Sequence, residues 1–184
     1  MTLLKTVSQP IETANGLPNP HYTDPAVYAE ESRRLLLGNW SGIACEGDVP
    51  EVGDVYPVEL AGVPLVVVRG RDQEIRDFEN VCRHRGMVLV QEAGKAKQGM
   101  RCPYHSWTYD LSGRLVTTPL VGGPDANHHP CIDKPELGLL EVPCHTYLGV
   151  VYANVSRDAA PFRDMHSKLL DRWQDCLLYT SDAA

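Results

Sequence analysis

Two phrases decide how this 184-residue chain is read: Asn80-Val-Cys82-Arg-His84-Arg-Gly86 and Met100-Arg-Cys102-Pro-Tyr-His105-Ser-Trp107. Each supplies one thiolate and one imidazole. One residue separates the donors in the first phrase and two in the second, and 17 residues lie between His84 and Cys102. Two thiolates and two imidazoles suit an iron–sulfur cluster or a zinc ion. The Cys-x-His spacing departs from the usual zinc patterns, in which two to four residues separate paired cysteines. A structural zinc site and four unrelated buried residues are the two alternatives. Pro103 fixes its own φ and stiffens the second turn. Gly86 lets the first loop change direction and frees backbone amides to approach a bound group.

Outward from these phrases the texture is that of short strands. Val55–Leu60 and Val63–Arg69 flank Ala61-Gly62 and read as a hairpin. Ile75–Val81 is a further strand. Trp107–Asp110 and Arg114–Val116 flank Leu111-Ser112-Gly113, a second hairpin. Leu139–Pro143 and Val150–Val155 follow, the last preceded by Leu148-Gly149. Many short strands at this spacing predict an antiparallel sandwich or barrel. Before Trp40, residues 1–23 read as an irregular arm with Pro10, Pro18 and Pro20. A helix then starts at the N-cap Asp24 with Pro25 in its first position and stops at Gly38. After Pro161 a helical pattern begins and loses its logic near Asp175. The tail Cys176-Leu-Leu-Tyr-Thr-Ser-Asp-Ala-Ala184 has no closing cap and resembles translated adapter read-through.

The bulk properties narrow the class. A net charge of −7 argues against a sequence-independent grip on nucleic acid. No run approaches 18 apolar residues, so no membrane span is expected, and no export signal is visible. The cytoplasm is the default compartment. Of the six cysteines, Cys45, Cys131, Cys144 and Cys176 lack any motif and are expected to be free, buried thiols.

The phrases Asn80–Gly86 and Cys102–Asp110 resemble the N-terminal part of the large (alpha) subunit of Rieske non-haem iron oxygenases, the aromatic-ring-hydroxylating dioxygenase type. The resemblance runs from about residue 17 to about residue 165. Ser106 stands where that family usually has glycine. Met87 and Tyr104 stand where respiratory Rieske proteins carry an extra disulfide, so the resemblance is to the low-potential type, near −150 mV.

The resemblance implies a mostly β fold: a Rieske-type antiparallel β-sandwich with a cluster-binding subdomain, preceded by an N-terminal helix. It implies an arm and helix over 1–39, a Rieske domain over 40–157, and over 158–184 the start of a catalytic domain with an artefactual tail from about 176. It implies a [2Fe–2S] cofactor with Cys82 and Cys102 on the inner iron, His84 and His105 on the outer iron, and Trp107 packed beside them. The whole enzyme would take electrons from a reductase or ferredoxin and pass them to a mononuclear Fe(II) that activates O2, held in a C-terminal domain beyond residue 184. It would form a homo-oligomer, commonly a trimer, with or without a small beta subunit. His128, His129, His145 and His166 are not expected to bind that iron, and no catalytic residue is expected within the chain. The alternative is a stand-alone Rieske ferredoxin.

Overall fold

The strand Val63–Arg69 reads Val-Pro-Leu-Val-Val-Val-Arg, with no polar alternation, and is buried on both sides from Leu65 onward. A strand of that kind belongs in the middle of a structure covered on two faces. In the computed structural model, which describes residues 7–173, it is the central strand of a five-stranded sheet. The tail from about residue 176, and Cys176 with it, lies outside the described residues.

The strands in chain order are β1 (Ser41–Cys45), β2 (Asp54–Leu60), β3 (Val63–Arg69), β4 (Ile75–Glu79), β5 (Gly94–Lys95) and β6 (Met100–Arg101). They continue as β7 (Thr108–Tyr109), β8 (Leu115–Thr117), β9 (Glu141–Val142), β10 (Cys144–Tyr147) and β11 (Val150–Ala153). They form three sheets ordered β5-β2-β3-β4-β9, β1-β11-β10 and β6-β7-β8, and every pairing is antiparallel. The predicted hairpin pairs Leu60 with Val63 across Ala61-Gly62. Both turn residues have positive φ, 49° and 83°. That is the two-residue turn whose twist matches its strands. Leu148-Gly149 repeats the device at φ 50° and 76° between β10 and β11.

The alternation along β3 sorts the core. Val66 and Val68 join Phe78, Trp107, Tyr109 and both Cys82 and Cys102 on one face. Leu65 and Val67 face the other way, against Val142, Val151 and Ala153. The central sheet thus carries β1-β11-β10 on one side and the small β6-β7-β8 sheet with the motif loops on the other. Gly113, at φ 79°, closes the β7–β8 turn directly against Phe78. A Cβ there would stand 2.6 Å from the Phe78 ring, so the site packs only with glycine.

The N-terminal segment differs from expectation in two places. Within the supposedly irregular arm, Pro20–Thr23 makes one helical turn, α1. The helix capped by Asp24, whose carboxylate accepts Ala26 N–H at 2.8 Å, covers Pro25–Glu31 (α2) and continues as a wider π-helical segment over Ser32–Leu37. Further on, Trp40 Nε1 donates to Ala160 O at 2.9 Å, tying the residues before β1 to those before Phe162–Met165 (α3). A last helix, α4, spans Ser167–Trp173.

Candidate metal centre

The two motif loops fold alike although their histidines sit at different offsets. In the first, Cys82 N–H donates to Met87 O at 2.8 Å and Gly86 N–H to Cys82 O at 3.0 Å. In the second, Cys102 N–H donates to Trp107 O at 2.8 Å and Ser106 N–H to Cys102 O at 3.0 Å. The fourth residue after each cysteine turns the chain through the left-handed region: Gly86 at φ 71° and Ser106 at φ 62°. Ser106 therefore keeps the backbone shape that glycine would take, at a cost of about 1 kcal/mol. Its Oγ accepts from the Arg101 guanidinium at 2.8 Å.

These matching loops bring the predicted donors together in pairs, Cys82 with Cys102 and His84 with His105. Cys82 and Cys102 are each 2% exposed, inside the core that carries β7 and β8. The rings of His84 and His105 meet edge to face, centroids 4.7 Å apart. Trp107, 3% exposed, stacks flat on His84 with centroids 4.6 Å apart. Burial raises the Cys102 thiol pKa, and the nearby Cys82 raises it further, while the backbone N–H groups of Tyr104 and His105 favour its thiolate. Burial also lowers the His84 pKa, with His105 and Arg85 adding repulsion, which favours the neutral imidazole that a metal ligand needs.

One atom in this group is unexplained by the polypeptide alone. His105 Nδ1 is buried and has no hydrogen-bond partner. Such a nitrogen costs free energy unless something binds it. It lies on a residue that the spacing had already marked as a metal ligand. The donor chemistry, the buried thiols and this orphaned nitrogen all fit a bound cluster.

Two supporting residues were quoted in the motifs without a role. Asn80, 2% exposed, donates from Nδ2 to Val90 O at 2.7 Å and accepts Val90 N–H on Oδ1 at 2.8 Å, closing the base of the first loop. The Tyr109 hydroxyl accepts Arg83 N–H at 2.9 Å and lies 3.5 Å from Cys82 Sγ. Because it accepts from Arg83, its own proton is free to point at the sulfur. The signal in the sequence was Trp107-x-Tyr109, two aromatics at strand spacing on one face.

The remaining histidines lie elsewhere. His145 and His166 each stack on Phe162, with centroids 4.4 Å apart in both cases. His129 Nδ1 accepts Cys131 N–H at 3.2 Å, and His128 is exposed. The cysteine expectation needs correction. Cys45, Cys131 and Cys144 are free, but Cys45 and Cys131 are exposed and only Cys144 is partly buried. Cys45 ends β1 at a solvent-facing turn, and Cys131 sits in the irregular stretch between β8 and β9. No helix among the described residues is long and apolar enough to cross a membrane.

Known proteins place this geometry. The sequence profile of the Rieske [2Fe–2S] domain matches residues 39–134. The 2-aminobenzenesulfonate 2,3-dioxygenase subunit alpha of an Alcaligenes species is 31% identical over 170 residues, 92% of this chain and 42% of that protein. The biphenyl dioxygenase subunit alpha of Paraburkholderia xenovorans is 36% identical over 177 residues, 88% of this chain and 38% of that one. The chain thus spans about two fifths of the length of these relatives. Among solved structures, the apo form of a quaternary ammonium Rieske monooxygenase superposes with a TM-score of 0.78 at 28% identity, over 88% of this chain and 46% of that one. A naphthalene 1,2-dioxygenase from a Rhodococcus species gives 0.72 at 31% identity, over 80% and 33%. With its profile match, its relatives and its antiparallel fold in agreement, the chain belongs to the Rieske [2Fe–2S] domain family, in the form found in oxygenase alpha subunits.

Proposed function

We propose that Cys82, His84, Cys102 and His105 hold a [2Fe–2S] cluster and that this chain is the electron-transfer portion of an oxygenase alpha subunit. The observation that carries the ligand assignment is the pair of matching loops presenting two buried thiols, two imidazoles and the unpartnered His105 Nδ1. Among the described residues no three His, Cys, Asp or Glu side chains converge on a single-ion position. Two irons sharing the donors in pairs suit that layout better than one tetrahedral zinc. When bound, the cluster supplies one-electron redox chemistry.

The residues of this chain then do four things. Cys82 and Cys102 give the buried, anionic side of the site. His84 and His105 give the half-exposed side, nearest to solvent and so nearest to an incoming donor. Trp107 excludes water from His84. Tyr109 directs its hydroxyl proton toward Cys82 Sγ.

The reading extends to the whole protein. In this reading the residues before 40 are an arm and helix, 40–157 are the Rieske domain, and the residues after 157 lead into a further domain, which the greater length of the relatives supports. That further domain would hold a mononuclear iron where O2 is activated. A reductase or ferredoxin would supply electrons, and the full-length subunits would assemble as a homo-oligomer, a trimer with or without a beta subunit. The relatives' names span aromatic compounds and quaternary ammonium compounds, and these are the substrate classes proposed for the whole enzyme.

The test is anaerobic reconstitution of the purified chain with iron and sulfide. The expected product is red-brown, carries iron and sulfide in equal amounts, and gives a Rieske-type EPR signal on reduction. Cys82→Ser and Cys102→Ser should each abolish it. A colourless protein that keeps zinc instead would overturn the assignment. Continuing the reading frame past Asp175 separates an oxygenase subunit, with two histidines and a carboxylate downstream, from a stand-alone ferredoxin.

A further inference from the structure

Past the last strand, one side chain does most of the holding. From Ser156 to Trp173 only Phe162 is buried, and α4 buries nothing. The alternation of β10 and β11 explains its seat. Cys144 and Val151 point inward to the core beside the central sheet, so His145, Tyr147 and Tyr152 point the other way. Phe162, 3% exposed, packs on all three, with ring centroids 4.4, 6.3 and 4.8 Å away. Trp40 closes its edge at 5.7 Å and 87°.

The near end of this segment is fixed separately. Buried Asn154 accepts Ala159 N–H on Oδ1 at 3.2 Å and donates from Nδ2 to Asn39 O at 3.1 Å. Asn154 thus pins the chain at Ala159. Beyond that point the Trp40 bond to Ala160 O and the seat of Phe162 hold α3 and α4 against the small sheet.

Two imidazoles grip Phe162 from two elements. His145 comes from β10 and stacks 27° from parallel, and His166, which ends α3, stacks at 26°. They differ in what a proton would do. His166 Nδ1 donates to Phe162 O at 2.9 Å, a bond that an imidazolium keeps. The His145 ring makes no hydrogen bond among the described residues. Arg163 and His166 face it from the α3 side, and Tyr147 and Tyr152 flank it on the sheet. No carboxylate stands within ion-pair distance of His145, Arg163 or His166 among the described residues. Burial lowers the His145 pKa below 6.5, and Arg163 and then His166 push it further down.

We infer that the stack of His145 on Phe162 is an acid-released clasp: neutral His145 holds α3 and α4 on the β10-β11 face, and protonated His145 lets them go. An imidazole whose docked pKa lies below its free value contributes fully to docking above about pH 6.5, and the contribution is lost as pH falls through the docked value. A charge gained at His145 faces two basic groups with nothing to balance it, and it regains water when Phe162 leaves. Acid thereby frees the segment that leads out of the β-sheets while the core keeps its fold. The clasp lies across the central sheet from the motif loops, so it stands or falls separately from the cluster assignment.

Hydrogen exchange of the full, cluster-loaded chain, followed by mass spectrometry at about pH 5.5 and about pH 7.5 and corrected for the intrinsic pH dependence of exchange, tests the clasp. The reporters are the N–H of His166, bonded to Phe162 O, and those of Leu169 and Leu170, bonded to His166 O. Their protection should fall about tenfold on acidification, while Val66 and Val67 in β3 keep theirs. His145→Phe leaves a ring on Phe162 that cannot take a proton, and protection should stay high at both pH values. Arg163→Gln, at an exposed position, should reduce the fall to a few-fold. Phe162→Ala should leave the reporters unprotected throughout. Wild-type protection that is equal at the two pH values, or absent at both, would overturn the proposal. So would a fall that His145→Phe shares, or a rise on acidification, which would mean that attraction between imidazolium and ring outweighs the repulsion. If His145→Phe loses the fold, seen as lost protection in β3, Arg163→Gln decides: an undiminished fall there would overturn it.

Discussion

Tyr109 and Cys82 meet hydroxyl to sulfur at 3.5 Å, with both side chains buried. The backbone N–H of Arg83 fills one acceptor site on that hydroxyl and leaves its proton free for a deprotonated Cys82 sulfur. A hydrogen bond to a cluster sulfur stabilises the reduced, more negative state and raises the potential. Tyr109→Phe removes the donor and keeps the ring. We expect the reduction potential to fall by roughly 40 mV, the equivalent of about 1 kcal/mol for one electron. Protein-film voltammetry on the two forms measures it, and an unchanged potential would remove Tyr109 from any tuning role.

The two left-handed turns make opposite predictions. Gly86→Ala puts a Cβ at φ 71° and should destabilise the chain by about 1 kcal/mol, although nothing lies within 4 Å of that Cβ. Ser106→Gly relieves the same strain in the second loop and should gain about 0.5–1 kcal/mol, less what the exposed Arg101 contact contributes. Denaturant melts of the cluster-loaded proteins decide both. A loss of stability in Ser106→Gly would mean that the Arg101 hydrogen bond outweighs the backbone.

Asp77 gives the fold a pH dependence. It is fully buried in β4, no side chain hydrogen-bonds either carboxyl oxygen, and desolvation pushes its pKa from 3.8 up to about 8, partly offset by the Phe78 backbone N–H and by Arg157. The unfolded chain loses this proton near pH 4, whereas the folded chain holds it to about pH 8. Stability from this group is therefore complete below pH 4, declines as pH rises from about 4 to 8 by several kcal/mol, and is level above that. Asp77→Asn should flatten the decline and make the protein more stable than wild type at pH 8.5. Equal slopes in the two proteins would show that another group governs it.

Thiol chemistry should separate the cysteines by exposure. Cys45 and Cys131 are exposed, whereas burial next to Asp77 pushes the Cys144 pKa up to about 11. With the cluster loaded, iodoacetamide at neutral pH should label Cys45 and Cys131 quickly and leave Cys82, Cys102 and Cys144 largely unmodified. Peptide mapping reads each site. Rapid labelling of Cys102 in the loaded protein would contradict its role as a ligand.

How far the sequence could be read follows from which signals are local. The β2–β3 hairpin was legible because a two-residue turn containing Gly62 separates two apolar runs. The four candidate donors stood out because metal ligation restricts residue type and spacing together. β5 and β6 were not, since each is two residues long and is defined by its partners rather than its own pattern. β10 escaped because Cys144-His-Thr-Tyr147 is half-buried throughout and lacks alternation, although the turn after it was visible. The exposure of Cys45 and Cys131 depends on where loops run, which cysteine's usual preference for burial does not report. Tyr109 acquires its role only when β7 carries it to the first loop, 27 residues away in sequence from Cys82.

The central claim is that two imidazoles, His84 and His105, and two thiolates share one [2Fe–2S] cluster. Pulsed EPR of the reduced, reconstituted chain addresses it directly through nitrogen hyperfine couplings. The expected spectrum contains two strongly coupled nitrogens, one of which is lost in His84→Cys and the other in His105→Cys. A reduced cluster without strong nitrogen coupling, or one unchanged by either substitution, would contradict it.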